Sequence, residues 1–515
     1  MCVVGHQSEQ ELRAYFQVFG TQWPGWSWLR ERLRKADLEP TALRELRTGA
    51  ARSSWVVLAK PAAALQRHFE LAPEVLVLCT PWQEVQANDI ARVERILREE
   101  VRIDPGFVLV IARDPEARDR LGPAVPENRA YLFVSDETFR TTADLQSWLR
   151  ELLREALGRR RLFDLRLPAA GPQFFGREKE FEALERDVLQ GHCVGVFGLR
   201  KVGKTSLLRR VTEKFREADA GARRVLPVEV DLLETPYPRR NLAGVAELIG
   251  RQLDREVRRA GLRASPDADP LLRLQETVAQ MTDARLLLIL DEYEVLLNGR
   301  IPRQDGLDLL TWLRGVAQGH PTRFGFVLAG RNQRLLAPAR IDGTDNPMYR
   351  FLRDMALAGL APEECRGMVR KIGCRMALRF EPDALELVVQ ETGGHPALAR
   401  TLGDLVDQHV PTTERTPASI DGIVVRRVLS RFAREVDEDM RELVNAANDI
   451  DPRGGGYLVH LAYDVPWIGG ASEARLDDAL ARYGILHADT HRFRIGRLAT
   501  WLRENHARPA EAAHA

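Results

Sequence analysis

Short apolar runs alternate with amphipathic stretches along the first 165 residues. Four runs are continuous and of strand length, as buried strands are, at residues 55–59, 75–79, 107–112 and 131–134. Two stretches repeat apolar residues every three or four positions, as helices do, at residues 90–100 and 145–157. The pattern predicts a small α/β domain over residues 1–165, followed by a Pro/Ala/Gly-rich linker at 167–172.

The same alternation continues over residues 173–335. Four further apolar runs lie at residues 193–197, 225–231, 286–290 and 324–329. Because helices join the strands of a parallel sheet and bury both of its faces, this pattern predicts a parallel sheet covered by helices. The next segment, 336–410, is mostly helical, and 411–419 is rich in Pro and Thr, which favours a second linker.

The last unit, residues 420–505, begins with helices and ends in a strand–turn–strand at 485–495 and a closing helix. This order resembles a winged helix, a fold that often binds DNA. Its candidate recognition helix, 472–483, carries three acidic and two basic side chains, and a phosphate backbone repels such a face. The basic side chains lie in and after the wing, at Arg492, Arg494 and Arg497, so we expect packing and switching more than DNA binding. The Ala-rich tail, 506–515, is predicted to be disordered.

Composition excludes several classes of protein. The formal net charge is +1, so no basic field points to nucleic acid. The five Cys are scattered and lack CxxC spacing, which argues against a disulfide framework or a zinc site and fits a reducing cytosol. The apolar runs are far shorter than a membrane span, and the first ten residues lack the features of a signal peptide. We therefore predict a cytoplasmic protein without membrane association.

A glycine-rich motif follows the first apolar run of the central segment. It reads Gly-Leu-Arg-Lys-Val-Gly-Lys-Thr from Gly198 to Thr205, between a strand and an amphipathic helix. Glycines let backbone N–H groups turn inward around a β-phosphate, and the helix N-terminus stabilises the anion further. Lys204 is predicted to reach the β and γ oxygens, and Thr205 to bind Mg²⁺. The residues assigned to binding a nucleoside triphosphate are Gly198, Lys201, Val202, Gly203, Lys204, Thr205 and Ser206.

Two further strands are predicted to end at the same edge of the sheet as this phosphate loop. The third apolar run delivers Asp291, predicted to hold the Mg²⁺ shell through water, and Glu292, predicted to orient and polarise the attacking water. The fourth run is followed by Arg331 and Asn332. A polar residue here can touch the γ-phosphate or the lytic water, and we favour Arg331. Together with Lys204, Glu292 and Arg331 are the predicted catalytic residues.

With these residues in place, the chain resembles the STAND branch of the AAA+ superfamily, and in particular the archaeal-type ATPases of bacteria and archaea. Four motifs carry the resemblance, in order along residues 173–505: Phe175-Gly-Arg-Glu-Lys-Glu180, the phosphate loop (Walker A), Leu290-Asp-Glu-Tyr293 (Walker B) and Gly393-Gly-His-Pro396. The resemblance implies that Arg177 lies beside the base and ribose, that 336–410 is a helical lid, and that Pro396 packs on the base. It also implies a trans-acting Arg if the protein oligomerises, for which Arg350 and Arg353 are candidates.

The sequence therefore predicts an α/β protein: a P-loop NTPase with a parallel sheet, a helical lid and a winged helix, preceded by a small α/β N-terminal domain. It is expected to bind ATP and Mg²⁺, to hydrolyse ATP slowly, and to act as a switch on a protein partner or on its own assembly. One alternative is a DNA-acting AAA+ ATPase, such as an origin-recognition-like loader or a transposition helper, that binds duplex DNA through its winged helix. A second alternative is a non-catalytic scaffold with structural ATP.

The N-terminal domain offers no recognisable chemistry. Asp136 and Glu137 follow an apolar run, and we interpret them as a solvated strand end. By analogy with the position of such domains in STAND proteins, residues 1–165 are assigned an effector, sensor or protein-binding role.

Overall fold

The computed structural model describes residues 7–47, 53–69, 71–85, 88–99, 103–125, 130–158, 162–163, 169, 174–217, 224–234, 241–262, 265, 267, 269–331, 336, 338–341, 343–411, 418–467 and 473–509. Asn332, most of the two predicted linkers and residues 510–515 of the predicted tail lie outside the described residues. The chain divides into two compact units. The first comprises residues 1–164, 367–385 and 403–428, and the second 165–366, 386–402 and 429–515. The domain boundaries given above stay predictions.

The first unit is built on a mixed five-stranded sheet of order β1-β2-β3-β4-β5. The pairs β1–β2 and β2–β3 are antiparallel, and β3, β4 and β5 run parallel. The strands are β1 (Leu38–Arg47), β2 (Ser53–Pro61), β3 (Glu74–Thr80), β4 (Ile103–Ala112) and β5 (Ala130–Ser135). The helices are α1 (Glu9–Gln22), α2 (Leu29–Lys35), α3 (Ala63–Phe69), α4 (Asn88–Glu99), α5 (Ala117–Leu121), α6 (Asp136–Thr141) and α7 (Leu145–Gly158).

Both faces of this sheet are buried, which explains the continuous apolar runs of the sequence. Val57 and Val77 lie in one apolar cluster together with side chains of α1, α2 and α7. Their chain neighbours Val56 and Leu78 lie in the other, together with side chains of α4. Because successive side chains of a strand point to opposite faces, a sheet covered on both sides needs apolar residues at every position.

The second unit holds a five-stranded, fully parallel sheet of order β12-β6-β9-β8-β7. Its strands are β6 (Val194–Gly198), β7 (Arg224–Asp231), β8 (Ala284–Asp291), β9 (Phe324–Gly330) and β12 (Arg353–Leu357), and β10 (Arg340–Ile341) pairs with β11 (Thr344–Asp345) apart from it. Helix α8 (Glu178–Gln190) precedes them, and the helices between them are α9 (Lys204–Glu217), α10 (Leu242–Arg259), α11 (Pro270–Gln280) and α12 (Arg303–Gly319). The parallel sheet confirms the predicted fold class.

Helices dominate the rest of the chain. They are α13 (Pro362–Cys374), α14 (Pro382–Thr392), α15 (Pro396–His409), α16 (Gly422–Glu435), α17 (Asp437–Ile450), α18 (Gly454–Ala462), α19 (Glu473–Arg482) and α20 (Gly496–Asn505). Two short strands of the first unit, β13 (Leu378–Phe380) and β14 (Ala418–Ile420), pair in parallel. The predicted strand–turn–strand is reduced to a single antiparallel bridge between Leu486 and Phe493. None of the helices in the described part of the chain is long and apolar enough to cross a membrane.

Candidate functional site

The candidate site lies at the carboxyl edge of the parallel sheet. Strand β6 lies between β12 and β9, and β9 separates β6 from β8. The register places Phe197 opposite Gly330 and Leu290 opposite Leu328, so the three strands end close together. This order puts Arg331 between the phosphate loop after β6 and the acidic pair at the end of β8. Ligands bind at this edge in open α/β sheets.

The loop from Gly198 to Thr205 has the backbone that the glycines were predicted to permit. Gly203 has a φ of +104° and Lys201 a φ of +59°, so the chain twice enters the left-handed region within three residues. Gly198 is required for a different reason, because a Cβ there would lie 2.4 Å from the carbonyl oxygen of Leu357 in β12. The edge strand thus packs directly against the start of the loop.

Lys204 is buried at the first position of α9, with its ammonium turned back into the loop. Its Nζ donates to the carbonyl oxygens of Gly198 at 2.9 Å and Leu199 at 3.0 Å. Burial lowers the pKa of Lys204, while the charges of Glu292 and Asp291 act in the opposite direction. A buried ammonium with two loop carbonyls as partners is placed to exchange them for phosphate oxygens.

Thr205 and Asp291 meet across the site. The Thr205 hydroxyl donates to Oδ2 of Asp291 at 2.5 Å, and the backbone N–H of Glu292 donates to Oδ1 at 3.0 Å. Burial raises the pKa of Asp291, and the Thr205 bond lowers it. No cluster of three or more His, Cys, Asp or Glu suited to a metal ion occurs among the described residues. Thr205 and Asp291 are the residues that would hold a Mg²⁺ here, together with phosphate oxygens and water.

Glu294 lies beside the end of β9 at the same site, and no motif of the sequence indicates a role for it. One of its carboxylate oxygens, Oε1, accepts a short hydrogen bond from the backbone N–H of Arg331. The other, Oε2, is buried and has no partner in the described part of the chain. Burial raises the pKa of Glu294. The only sequence signal was a second Glu two positions after Glu292.

Arg177 is hydrogen-bonded to the phosphate loop. Its guanidinium is buried and donates to the carbonyl oxygens of Val202 at 3.1 Å and Ala358 at 2.5 Å, and it pairs with Glu180 at 3.0 Å. Its backbone N–H donates to Glu364 at 2.9 Å. Burial lowers the pKa of Arg177. The guanidinium thus holds the loop to the segment after β12, and a contact with the base or ribose stays a prediction.

The Gly-Gly-His-Pro motif connects the phosphate loop to the start of α15. His395 is buried, and its Nε2 lies 3.0 Å from the carbonyl oxygen of Arg200, as a donor in the tautomer that carries the proton there. Burial lowers the pKa of His395 to about 4, so the ring is neutral at physiological pH. Gly394 has a φ of +73°, and a Cβ there would lie 2.2 Å from the carbonyl oxygen of Leu360. Pro396 begins α15, and its packing on a base stays a prediction.

The two candidates for a trans-acting Arg lie beside the edge strand. Arg353 begins β12 and donates to Asp187 at 2.8 Å. Arg350 has a φ of +55° and lies over the ring of Tyr349. The structure gives Arg353 a partner within its own chain, and its role in trans stays a prediction.

Helix α17 contacts the phosphate loop through two ion pairs. Lys201 pairs with Asp439 at 2.8 Å, and Arg200 forms a short ion pair with Glu442. A cavity of about 190 Å³ lies here. Its wall is formed by the loop, the end of β9, the start of α15 and α17, through residues that include Leu199, Arg200, Arg331, His395, Leu398, Glu438, Asp439, Glu442 and Tyr483.

With this geometry in view, comparisons with known proteins identify the family. Residues 168–423 match the family model described as Novel STAND NTPase 1. This part of the chain is a STAND P-loop NTPase. The match confirms the resemblance to STAND ATPases over these residues. The STAND segment includes the phosphate loop, Asp291, Glu292, Arg331 and the Gly-Gly-His-Pro motif, and it ends before α17.

Solved structures similar to the chain are remote in sequence. A Walker-type ATPase of Pyrococcus abyssi is 15% identical and covers 66% of this chain and 99% of its own, with a TM-score of 0.48. The ORC2 protein of Aeropyrum pernix, in ADPNP–ADP complexes, is 21% identical, with coverages of 67% and 98% and a TM-score of 0.40. The ORC1 protein of Aeropyrum pernix, in complex with DNA, is 16% identical, with coverages of 67% and 97% and a TM-score of 0.36. No curated protein matches the chain.

Proposed function

We propose that this STAND protein is a cytoplasmic switch that binds ATP with Mg²⁺, hydrolyses it slowly, and passes its nucleotide state to a protein partner or to its own assembly. One observation carries the proposal. The buried Lys204, the Thr205–Asp291 pair and Glu292 meet at one edge of the sheet, and the same loop is bonded to the start of α15 and to α17. The phosphate loop is therefore part of the predicted nucleotide site and is also in contact with α15 and α17.

Bound ATP with Mg²⁺ would supply the phosphoryl group that is transferred to water. Lys204 and the loop N–H groups would hold the phosphates, and Thr205 and Asp291 would orient the metal. Glu292 would accept a hydrogen bond from the attacking water. Arg331, at the end of the intervening strand, would offset the charge that develops on the phosphate. Glu294 holds the backbone of Arg331 in place for this.

The contacts of the loop support the switching role. Its residues Arg200 and Lys201 are the partners of His395, Asp439 and Glu442. A phosphate bound in the loop competes with Glu442 and Asp439 for the cationic side chains of Arg200 and Lys201. Binding of the phosphate would therefore weaken the contacts of α17 with the loop, and its release would restore them. A γ-phosphate orders the switch segments of other NTP-dependent switches in a comparable way.

The experiment compares Lys204→Ala with Lys214→Ala. Both lysines are on α9, but Lys214 is exposed and away from the site, so its loss controls for the change of charge. We expect Lys204→Ala to weaken ATP binding in Mg²⁺ by at least about 10-fold and to abolish phosphate release, because the buried ammonium is a point charge for the phosphates. Lys214→Ala is expected to behave as wild type. Titration calorimetry and a phosphate-release assay measure both, and unfolding midpoints verify folding. Unchanged ATP affinity in Lys204→Ala would refute the proposal.

A further inference from the structure

Two acidic side chains of α17, Asp439 and Glu442, contact the phosphate loop. Asp439 and Glu442 are three positions apart and so share one face of the helix. They are the partners of Lys201 and Arg200, which are consecutive residues of the loop. Two cations of a loop built to receive phosphates are thus neutralised by carboxylates of the same chain.

A purely local explanation covers only part of this arrangement. Acidic residues in a first turn stabilise a helix through its dipole, and Asp437, Glu438 and Asp439 satisfy that rule. Glu442 lies beyond the first turn, where the dipole has little effect. Its carboxylate nevertheless reaches Arg200, and it lines the cavity beside Arg331 and the loop. The contact is therefore directed at the loop and not at the end of the helix.

We propose that Asp439 and Glu442 compete with nucleoside phosphates for the phosphate loop and so lower its affinity for a triphosphate more than for a diphosphate. This inference rests on the proposed function, because it requires the loop to bind nucleotide. A triphosphate brings one more negative charge than a diphosphate to a loop in which two cations, Arg200 and Lys201, are already paired. Binding linkage is reciprocal, so a bound triphosphate weakens the hold of α17 by the factor by which α17 weakens triphosphate binding.

The exposure of the pairs limits the size of the effect. The Arg200 and Lys201 side chains are 55% and 52% exposed, and those of Glu442 and Asp439 are 33% and 28% exposed. Ion pairs at such positions are partly screened by water and salt, so each should change affinity by about twofold to fivefold. Removing both carboxylates should then give roughly a tenfold gain.

The experiment uses Asp439→Asn, Glu442→Gln and their double variant in the full chain, with Glu438→Gln as the matched control. Glu438 lies on the same helix and lines the same cavity, but its carboxylate pairs with Arg441 at 3.6 Å and is 77% exposed. Titration calorimetry measures the Kd of ADP and of a non-hydrolysable ATP analogue at low and high salt. We expect the double variant to bind the analogue about tenfold tighter at low salt, with a smaller gain for ADP and a smaller difference at high salt. The control is expected to stay within about twofold of wild type.

Hydrogen exchange over residues 437–450 gives a readout that does not depend on affinity. In wild type, exchange in α17 is expected to speed up when the ATP analogue is added, and the double variant is expected to exchange fast without it. Equal affinities in wild type and the double variant, or a gain equal to that of Glu438→Gln, would overturn the inference alone. If neither protein binds any nucleotide, the proposed function fails with it.

Discussion

At the scale of single residues, the site places three carboxylates around one buried ammonium. Asp291, Glu292 and Glu294 all act on Lys204, and each favours its charged form against the cost of burial. The three carboxylates differ in their hydrogen-bond partners, which indicates different roles. Asp291 accepts from Thr205 and from a backbone N–H, and Glu294 accepts from the backbone of Arg331. Glu292, in contrast, has a left-handed φ of +56°, a conformation that costs a non-glycine residue energy and is concentrated at functional sites.

This difference gives a prediction for Glu292→Gln. The amide keeps the size of the side chain but cannot accept a proton, so we expect ATP affinity within about threefold of wild type and turnover lowered by at least about 100-fold. Exposed Glu182, on α8, provides the control Glu182→Gln, which should behave as wild type. Calorimetry gives the affinity, and single-turnover phosphate release gives the rate. Equal, measurable turnover in wild type and Glu292→Gln would remove Glu292 from the catalytic residues, and no turnover in either would favour the scaffold with structural ATP.

The candidate site residues that could be predicted from the sequence are those that belong to a recognisable motif. Lys204, Thr205, Asp291 and Glu292 follow from residue type, spacing and the strand before them. The partners of the loop do not follow from the sequence, because they depend on contacts over long separations. Glu442 lies 242 positions from Arg200 along the chain. Its acidic neighbours looked like an ordinary helix start, and nothing in their pattern pointed to the loop.

At the scale of elements, the strands predicted correctly are those with continuous runs of apolar residues. The predicted apolar runs coincide with β2 to β9 because those strands are buried on one or both faces. One strand of each five-stranded sheet was missed for the opposite reason, and the short strands β10, β11, β13 and β14 were not predicted either. β1 alternates Glu39, Thr41 and Arg44 with apolar residues, and β12 begins with Arg353 and Asp354, which are exposed. An edge strand with polar side chains has the composition of a loop, and only its pairing with a neighbour reveals it.

The junction between the segment after β12 and the start of α15 gives a prediction for Gly394→Ala. The left-handed φ and the Leu360 carbonyl oxygen leave no room for a Cβ at Gly394, so backbone must move. We expect the unfolding midpoint of the second unit to fall by several degrees, a loss of about 1–3 kcal/mol. Gly315→Ala is the control, because Gly315 lies exposed in α12 and a Cβ added there would meet nothing within 4 Å. It should be neutral or raise the midpoint slightly. Equal midpoints for the two variants would contradict the tight packing of the motif.

At the scale of the whole molecule, the question is whether the C-terminal region acts on DNA or on protein. The basic cluster predicted for the wing is largely engaged within the chain. Arg494 donates to the carbonyl oxygens of Gly359 at 3.1 Å and Leu360 at 2.7 Å. Arg497 is buried and pairs with Glu504 at 2.6 Å. Of the three arginines, Arg492 is the exposed one.

The candidate recognition helix also differs from its sequence pattern. Asp477, one of the acidic residues expected to repel DNA, is buried and accepts a hydrogen bond from the Tyr457 hydroxyl at 2.5 Å. Arg482, one of the two basic residues, pairs with Asp354 at the start of β12. The exposed charges on α19 therefore reduce to Glu473, Arg475 and Asp478. This surface offers a phosphate backbone little attraction.

These contacts predict the response to duplex DNA. Each phosphate neutralised by a cation adds about 0.9 to the slope of log affinity against log salt, and the two exposed arginines, Arg475 and Arg492, supply a slope of about 2 at most. We expect fluorescence anisotropy to give no binding tighter than about 10⁻⁵ M at 150 mM salt, and ATP turnover to change by less than twofold when DNA is added. Arg494→Ala should lower the unfolding midpoint, since it leaves two carbonyl oxygens without their donor, whereas Arg492→Ala should not. A salt slope of several units that Arg492→Ala reduces would instead favour the DNA-acting ATPase, because only a row of free cations on this face could produce it.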